Sequence, residues 1–192
     1  MTKEELRGQM RAMRADLTGD KRDAAEQQAV DHMMAFLRQN KPHWFYPFVS
    51  CRTEINTLQL LQRVWKELPD IAVAVPRVEG KRMQFYEVRA MNDLHKGAMG
   101  ILEPAGAGPV RVEDGVMLVP GLAYDERGYR VGYGAGFYDR YFAEYGLCKP
   151  NAGGVLKIGY AFSFQLVQRM EAQEHDVALD ALMTEEGINF FR

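Results

Sequence analysis

Short apolar segments that alternate with stretches of helical period constrain the fold of this chain more than any other feature. Five segments are typical of β-strands: HWFYPFV (43–49), IAVAV (71–75), MQFYEV (83–88), VMLVP (116–120) and VLKIGYAF (155–162). MQFYEV alternates in polarity, whereas IAVAV is a continuous apolar run that ends at Pro76, as buried parallel strands often do.

Between these segments, apolar residues recur at the spacing of amphipathic helices. The first such stretch begins with Thr2 and Glu5 in the pattern of a capping box. The predicted helices are 2–17, about 19–40, 54–68, 137–146 and 164–172, and the Gly/Ala/Pro-rich stretch 103–109 is predicted to be a loop. Strands that alternate with helices of about 10 to 15 residues predict an α/β fold with a mostly parallel sheet covered by helices.

Length, charge and cysteine content exclude several classes of protein. The chain has 192 residues, a net charge of −2 and a pI of about 6.1, so we expect one domain and no binding to nucleic acid or membranes. No run reaches the roughly 18 apolar residues that span a bilayer, and the polar N-terminal segment lacks the apolar region of a signal peptide. Cys51 and Cys148 form no CxxC motif or Cys/His cluster. The sequence therefore predicts a single cytoplasmic domain.

The segment YDERGYRVGYGAGFYDRYF (124–142) contains the most informative motif, GYGAG (132–136). It follows VMLVP by about ten residues and leads into a predicted helix. Ligands of parallel sheets bind beyond the carboxyl ends of the strands, and glycines before a helix let an anion approach the backbone N–H groups. Arg130 and Arg140 could add charge-assisted hydrogen bonds to phosphate oxygens.

The spacing GxGxG matches neither the dinucleotide motif GxGxxG nor the P-loop. A plain glycine-rich turn is therefore the alternative to an anion site, although the flanking aromatic rings disfavour it. Four basic residues of the first helix, Lys3, Arg7, Arg11 and Arg14, follow a 4-4-3 spacing and form one stripe. The stripe is either a solvated helix face or a cationic surface that reaches a polyphosphate.

The segment RVGYGAGFYDR (130–140) resembles the Arg-hydrophobic-Gly-x-Gly-x-Gly-aromatic-Tyr-Asp motif of the 5-formyltetrahydrofolate cyclo-ligases, also called 5,10-methenyltetrahydrofolate synthetases. Other segments follow the order and approximate spacing of that family: KEELR (3–7), EINT (54–57), GILEP (100–104), VPGLAYDERG (119–128), GYAFSFQ (159–165) and HDVALD (175–180). The resemblance spans nearly the whole chain. It implies a single three-layer α/β/α domain over residues 1–192, with a mostly parallel, Rossmann-like sheet of the kind found in sugar-phosphate isomerases and CoA-transferases.

The same resemblance implies an ATP-dependent cyclisation of 5-formyltetrahydrofolate to 5,10-methenyltetrahydrofolate, with release of ADP and phosphate. ATP would be a co-substrate, Mg²⁺ the cofactor and the protein a monomer. In the implied reaction the formyl oxygen is phosphorylated, N10 attacks the activated carbon and phosphate departs. Such chemistry depends mostly on positioning and charge neutralisation, so it requires no nucleophilic side chain.

By position in these motifs, the resemblance implies three groups of site residues. The ATP-binding group is Lys3, Arg7, Arg130, Val131, Gly132, Tyr133, Gly134, Ala135, Gly136, Phe137 and Tyr138. The folate-binding group is Val49, Glu54, Tyr133, Gly134, Ala135, Gly136 and Phe137. Asp139 and Asp176 are the implied magnesium ligands, and two carboxylates with waters and phosphate oxygens suit that ion. Arg130 and Arg140 are candidates for stabilising charge.

The loop departs from its relatives at Tyr133 and Ala135, where some members carry Lys or Arg. Phosphate charge is then expected to be met by Arg130, Arg140, Lys3 and Arg7. A pterin ring could instead stack on Tyr133 or Phe137.

The acidic candidates also have structural alternatives. Asp139 could be a first-turn acid favoured by the helix dipole, Glu54 could be the same in its own helix, and Asp176 could be a surface or capping residue. We expect His175 to be a structural neighbour rather than a base. The remaining histidines, His32, His43 and His95, show no metal-binding spacing.

Two other functions remain open from the sequence. One is a non-catalytic module that binds folate or nucleotide on the same fold. The other is an enzyme related to sugar-phosphate isomerases or CoA-transferases, for which the chain shows no motif.

Overall fold

The computed structural model describes residues 2–97, 100–106, 108–173 and 175–191. The helices are α1 (Lys3–Asp16), α2 (Gly19–Asn40), α3 (Leu58–Glu67) and α4 (Phe137–Glu144). The strands are β1 (Trp44–Tyr46), β2 (Ala72–Glu79), β3 (Arg82–Glu87), β4 (Leu94–Lys96), β5 (Leu102–Pro104), β6 (Gly115–Val119), β7 (Ala123–Asp125), β8 (Arg130–Val131), β9 (Val155–Tyr160), β10 (Leu166–Val167), β11 (Ala181–Thr184) and β12 (Gly187–Phe190). Short 3₁₀ turns lie at Met91–Asp93, Ala152–Gly154 and Ser163–Gln165.

A seven-stranded sheet in the order β12-β11-β9-β6-β1-β2-β3 forms the centre of the fold. The pairs from β11 through β9, β6 and β1 to β2 are parallel. An antiparallel hairpin closes each edge, β2 with β3 and β11 with β12. Two small sheets lie beside it, β10-β7-β8 and β4-β5. The predicted mostly parallel sheet is therefore confirmed.

Side chains of the central strands alternate between two apolar layers. Phe45 and Val73 face one layer, which is completed by α2 and α3, whereas Tyr46 and Ala74 face the other. Tyr141 and Phe142 of α4 pack into that second layer. Helices therefore cover both faces of the sheet, as the three-layer prediction requires.

The helix α1 lies outside these two layers. Its apolar residues Leu6 and Met10 pack on Leu122, Ala123 and Val131 around the small sheet β10-β7-β8. The predicted capping box is present, since Thr2 Oγ1 accepts a hydrogen bond from the Glu5 backbone at 3.2 Å and Thr2 N–H donates to Glu5 Oε2 at 2.8 Å. The strand β8 leads directly into the glycine motif, so α1 is placed beside it.

The predicted helix 164–172 is wrong. The chain there forms the 3₁₀ turn Ser163–Gln165 and then β10, which pairs in parallel with β7. Gln165 Nε2 donates to the carbonyls of Gly121 and Leu122 at 3.1 and 2.9 Å. Tertiary hydrogen bonds to a distant segment therefore override the local helical pattern.

The end of the strand predicted at 71–75 is also wrong, because β2 continues through Pro76 to Glu79. The register of β1 with β2 covers Ala72 and Val73, so Pro76 lies beyond it and its missing N–H interrupts no bond to β1. Other boundaries differ by a few residues, as α3 begins at Leu58 rather than at 54. The predicted loop 103–109 begins inside β5, and its residue 107 lies outside the described residues.

Within the described ranges, no helix has both the length and the apolar character needed to cross a bilayer.

Candidate active site

The carboxyl ends of β1 and β6 set the place of the candidate site. The two strands are parallel neighbours with Tyr46 opposite Met117, so the chain leaves both at the same edge of the sheet. The Glu54 segment (residues 50–57) follows β1, and the glycine loop (residues 132–136) follows β6 after the hairpin of β7 and β8. Both predicted parts of the site therefore meet at the edge where ligands of parallel sheets bind.

A cleft with a volume of about 700 Å³ opens at the glycine loop. Its lining includes these predicted residues: Lys3, Arg7, Arg130, Val131, Gly132, Gly134, Ala135, Gly136, Asp139, Arg140 and Asp176. It also includes residues that were not predicted to bind a ligand: Ala143, Cys148, Gln173, His175 and Val177. Segments from α1, the loop, α4 and the stretch before β11 therefore form one cavity.

Two arginines donate hydrogen bonds to the backbone of the glycine loop. Arg7 Nε donates to the Gly132 carbonyl at 3.0 Å, and Arg140 Nη1 donates to the Ala135 carbonyl at 2.7 Å. Gly134 has φ 98° and Gly136, the N-cap of α4, has φ 64°. Both values lie in the left-handed region that glycine tolerates and branched residues do not. The loop conformation thus depends on its glycines and on these two hydrogen bonds.

The charged groups of the cleft are arranged in two ion pairs. Lys3 Nζ lies 2.7 Å from Asp176 Oδ2, and Arg130 Nη2 lies 3.1 Å from Asp139 Oδ2. Burial disfavours the charge of Asp176, but hydrogen bonds from the Gln173 backbone and from Lys3 outweigh it and lower the pKa of that carboxyl. Two carboxylates face four basic side chains, since Arg7 and Arg140 also line the cleft. The cleft therefore favours an anionic ligand.

The two aspartates are the acidic groups that could hold a divalent cation here. The described residues contain no cluster of three or more His, Cys, Asp or Glu side chains that could enclose a metal alone. The donor chemistry fits Mg²⁺, which binds through one or two carboxylates together with waters and phosphate oxygens. Such an ion would need the ligand in the cleft to complete its coordination.

Glu54 and Val49 lie apart from the lining of this cleft. The Glu54 side chain is 7% exposed, and its Oε2 accepts a hydrogen bond from the Cys51 backbone at 2.8 Å. Val49 is buried in the apolar layer beneath α2 and α3. Burial and the neighbouring Glu54 raise the pKa of the Cys51 thiol to about 11, so this thiol stays protonated at neutral pH.

The three aromatic residues of the glycine motif have different surroundings. Tyr133 is 42% exposed, yet its hydroxyl end points inward, and burial of that end and the nearby Glu54 carboxylate raise the pKa of the phenol. The guanidinium carbon of Arg140 lies over the Phe137 ring, 5.1 Å from the centre of the ring. Tyr138 packs on Phe142 with its hydroxyl buried, and it does not line the cleft.

The basic stripe of α1 is mostly bound rather than solvated. Lys3 and Arg7 reach Asp176 and the loop backbone, and Arg14 is almost fully buried. Arg11 is exposed, as the solvated-face alternative expects. The sequence placed Arg14 in the stripe through its 4-4-3 spacing but gave no sign of its partners, Tyr133 and Thr53.

A parallel sheet with a cationic cleft and a glycine-rich helix N-terminus at its carboxyl edge is typical of α/β enzymes that bind phosphorylated ligands. The model of the 5-formyltetrahydrofolate cyclo-ligase family matches residues 1–185. The chain therefore belongs to the 5-formyltetrahydrofolate cyclo-ligase family. This result confirms the resemblance seen in the sequence, and with it the assignment of the chain as an enzyme of the ligase class in folate one-carbon metabolism.

Individual proteins agree with this assignment. The chain is 29% identical over 181 residues to the 5-formyltetrahydrofolate cyclo-ligase of Escherichia coli K12. This alignment covers 91% of this chain and 96% of that protein. It is 30% identical to the 5,10-methenyltetrahydrofolate synthetase of Aquifex aeolicus, whose NMR structure superposes with a TM-score of 0.84 over 100% of this chain and 94% of that one. The 5,10-methenyltetrahydrofolate synthetase of Mycoplasma pneumoniae shares the fold at 22% identity, with a TM-score of 0.72 over 96% and 99% of the two chains. The predicted α/β fold class is thus confirmed.

Proposed function

We propose that this protein catalyses the ATP- and Mg²⁺-dependent cyclisation of 5-formyltetrahydrofolate to 5,10-methenyltetrahydrofolate, with release of ADP and phosphate. One observation carries the proposal. Lys3, Arg7, Asp139, Asp176 and the loop residues other than Tyr133, which come from distant parts of the sequence, line a single cleft.

The ATP phosphates fit the cationic side of the cleft. Backbone N–H groups at the start of α4 and the side chains of Lys3, Arg7, Arg130 and Arg140 offer donors and positive charge to phosphate oxygens. Val131, Tyr133, Phe137 and Tyr138 complete the predicted nucleotide segment, although Tyr138 would contribute through packing rather than direct contact.

The folate fits the side of the glycine loop that faces Glu54. A buried carboxylate can accept hydrogen bonds from the paired N–H donors of a pterin ring. The exposed ring of Tyr133 offers a stacking surface next to it, and Phe137 is the second candidate. Val49 lies in the apolar layer below and would support the wall of this subsite rather than form its surface.

Asp139 and Asp176 would hold Mg²⁺ against the ATP phosphates. The ion would neutralise charge that develops during phosphoryl transfer. Arg130 and Lys3 form ion pairs with these carboxylates, so each basic residue would turn towards phosphate when the carboxylate binds the ion.

The proposed reaction has two bond-forming stages. The formyl oxygen of the folate attacks the γ-phosphorus of ATP, the bond from that phosphorus to the β,γ-bridging oxygen breaks, and ADP leaves. N10 then attacks the formyl carbon and closes the ring, and the N10 proton passes to the departing phosphate. The C–O bond breaks, and phosphate leaves with both electrons of that bond. The residues of the cleft contribute by orienting the two substrates, stabilising negative charge and excluding water.

The test is an absorbance assay for methenyltetrahydrofolate with purified protein, 5-formyltetrahydrofolate, ATP and magnesium. We expect the purified protein to form product only when 5-formyltetrahydrofolate, ATP and magnesium are all present, with one ADP released per product. Binding of both ligands without ADP release would favour a non-catalytic module. Isomerase activity that needs no ATP and is inhibited by 5-formyltetrahydrofolate would favour an enzyme related to sugar-phosphate isomerases or CoA-transferases. A single domain, a monomeric state and a cytoplasmic location stay predictions.

A further inference from the structure

Arg14 in the last turn of α1 links two segments that are distant in the sequence. Its Nη1 donates to Tyr133 Oη at 2.8 Å, and its Nε and Nη2 both donate to Thr53 Oγ1, at 3.3 and 3.0 Å. The side chain of Arg14 is almost completely buried, with 3% of the residue exposed. One rigid guanidinium therefore fixes the position of Tyr133 relative to Thr53.

Each of these partners belongs to a different part of the proposed site. Tyr133 lies in the glycine loop between Gly132 and Gly134, both of which line the cleft. Thr53 precedes Glu54 in the Glu54 segment. Arg14 is thus the side chain that lies between the proposed nucleotide and folate subsites.

The surroundings of Arg14 indicate that this link has a specific role. Its two hydrogen-bond acceptors are neutral hydroxyl oxygens, and one of them, Tyr133 Oη, also lies beside the Glu54 carboxylate. The guanidinium and the Glu54 carboxylate both act on the same phenol, which joins the charges of the two segments. The guanidinium carbon also lies 5.7 Å from the centre of the Tyr133 ring, which fixes the orientation of that ring.

A second arginine, Arg22 of α2, binds the backbone of the Glu54 segment. Its Nη2 donates to the Glu54 carbonyl at 2.7 Å, and its guanidinium pairs with Glu26 at 2.8 Å. The backbone of the Glu54 segment is therefore anchored to α2. Arg14 joins this anchored segment to the glycine loop where the Tyr133 phenol approaches the Glu54 carboxylate. A shift of the loop would reach Glu54 through that contact.

We propose that Arg14 is a positioning residue that couples the two subsites, so that nucleotide bound at the glycine loop organises Tyr133 and the Glu54 segment for folate. This inference rests on the proposed function. The coupling is reciprocal by thermodynamic necessity, so bound folate strengthens nucleotide binding by the same factor.

The experiment measures the dissociation constant of 5-formyltetrahydrofolate by calorimetry, with and without a non-hydrolysable ATP analogue and magnesium. In the wild-type protein we expect the analogue to tighten folate binding at least about fivefold. In Arg14→Met, which keeps the apolar stem but loses the guanidinium, we expect the ratio of the two constants to fall to about 1. Arg11→Met is the matched control on the same helix, because Arg11 is exposed, and it keeps the wild-type ratio.

Two further variants separate geometry from charge and from folding. Arg14→Lys keeps the charge, but an ammonium group cannot hold Tyr133 Oη and Thr53 Oγ1 in a fixed geometry as a guanidinium does. We therefore expect the ratio of the two dissociation constants to stay near that of Arg14→Met. Tyr133→Phe removes only the hydroxyl that Arg14 binds and keeps the ring, so it tests the same link without changing Arg14. It also lowers the ratio, and adding Arg14→Met to it causes no further loss.

Four outcomes would overturn the inference. One is a wild-type protein that binds both ligands independently, which leaves the proposed function intact. The second is an Arg14→Met variant with a lower melting temperature and weaker binding of each ligand but an unchanged ratio, as a purely structural role predicts. The third is full coupling in Arg14→Lys. The fourth is a wild-type protein that binds neither ligand, which overturns the proposed function and this inference together.

Discussion

Lys3 Nζ lies 2.7 Å from Asp176 Oδ2, so the first turn of α1 is joined directly to the stretch of chain before β11. The pair closes one side of the cleft, and the same carboxylate oxygen accepts a hydrogen bond from the Gln173 backbone at 2.7 Å. The ion pair thus holds a helix that otherwise packs on the small sheet. Because the Asp176 carboxyl titrates, the stability that this ion pair provides depends on pH.

The first prediction concerns acid stability at Asp176. The pKa of this carboxyl is lowered in the folded protein, so its contribution to the free energy of unfolding is complete above the unfolded pKa of about 3.9 and is lost as the pH falls below it. Asp176→Asn removes this contribution. We expect the difference in urea midpoint between wild type and variant to be constant from pH 5 to 7 and to shrink as the pH falls through about 4.

Asp23→Asn is the control, since Asp23 is an exposed residue of α2. A difference between wild type and Asp176→Asn that stays the same down to pH 3 would contradict the assignment.

The second prediction concerns Asp139, which pairs with Arg130 at the edge of the cleft. Asp139→Asn keeps the size of the side chain but removes its charge, so we expect turnover to fall at least about 100-fold under the proposed reaction. Glu144→Gln, an exposed charge change in the same helix, is expected to leave turnover unchanged. Steady-state kinetics with saturating ATP and magnesium make the comparison, and equal turnover in the two variants would refute the role of Asp139.

The third prediction separates backbone strain from obstruction of the ligand. A Cβ at Gly134 would meet open space apart from Arg7 Nη2 at 3.9 Å, and its φ of 98° would strain a branched residue. Gly146 just beyond α4 also has a positive φ, 71°, and open space around it, but it does not line the cleft. Both Val substitutions should destabilise the protein by about 1–3 kcal/mol through strain.

Only Gly134→Val should in addition raise the KM for ATP, by about tenfold or more, because its methyl groups occupy the face where phosphate would approach. Thermal unfolding and ATP titration measure the two effects separately. The same KM in both variants would show that the glycine loop does not contact the nucleotide.

The fourth prediction compares two buried tyrosines. The hydroxyl of Tyr160 has no hydrogen-bond partner among the described residues, whereas Tyr124 Oη donates to the Val119 carbonyl at 2.8 Å. Tyr124→Phe should therefore cost about 1 kcal/mol of unfolding free energy, and Tyr160→Phe should be neutral or stabilising. Urea unfolding at neutral pH provides the measurement, and a larger loss in Tyr160→Phe than in Tyr124→Phe would contradict this expectation.

Local sequence signals predicted the parts of the fold that depend on neighbouring residues. The capping box of α1, the helical period of α2 and the start of α4 after Gly136 all follow from short-range patterns, and the structure confirms them. The helix at 164–172 could not be rejected from the sequence, because the bonds from Gln165 to the carbonyls of Gly121 and Leu122 join segments more than 40 residues apart. Strand order has the same long-range origin.

The candidate site shows a similar division. The residue types at Lys3, Arg7 and the glycine loop predicted a phosphate site, and all of these residues except Tyr133 line one cleft. The contacts of Arg14 could not be predicted, because the hydroxyls that it binds lie 39 and 119 residues away and carry no motif of their own.

The position of α1 has a practical consequence for handling the protein. Lys3 lines the cleft, so a tag or fluorophore attached at Thr2 would be held within one helical turn of the cleft. Such a label could shield the charges of a ligand in the cleft or quench a fluorescence signal that reports binding. The exposed side of α2, for example at Gln28, lies on the opposite face of the central sheet from α4 and is the better place for immobilisation or labelling.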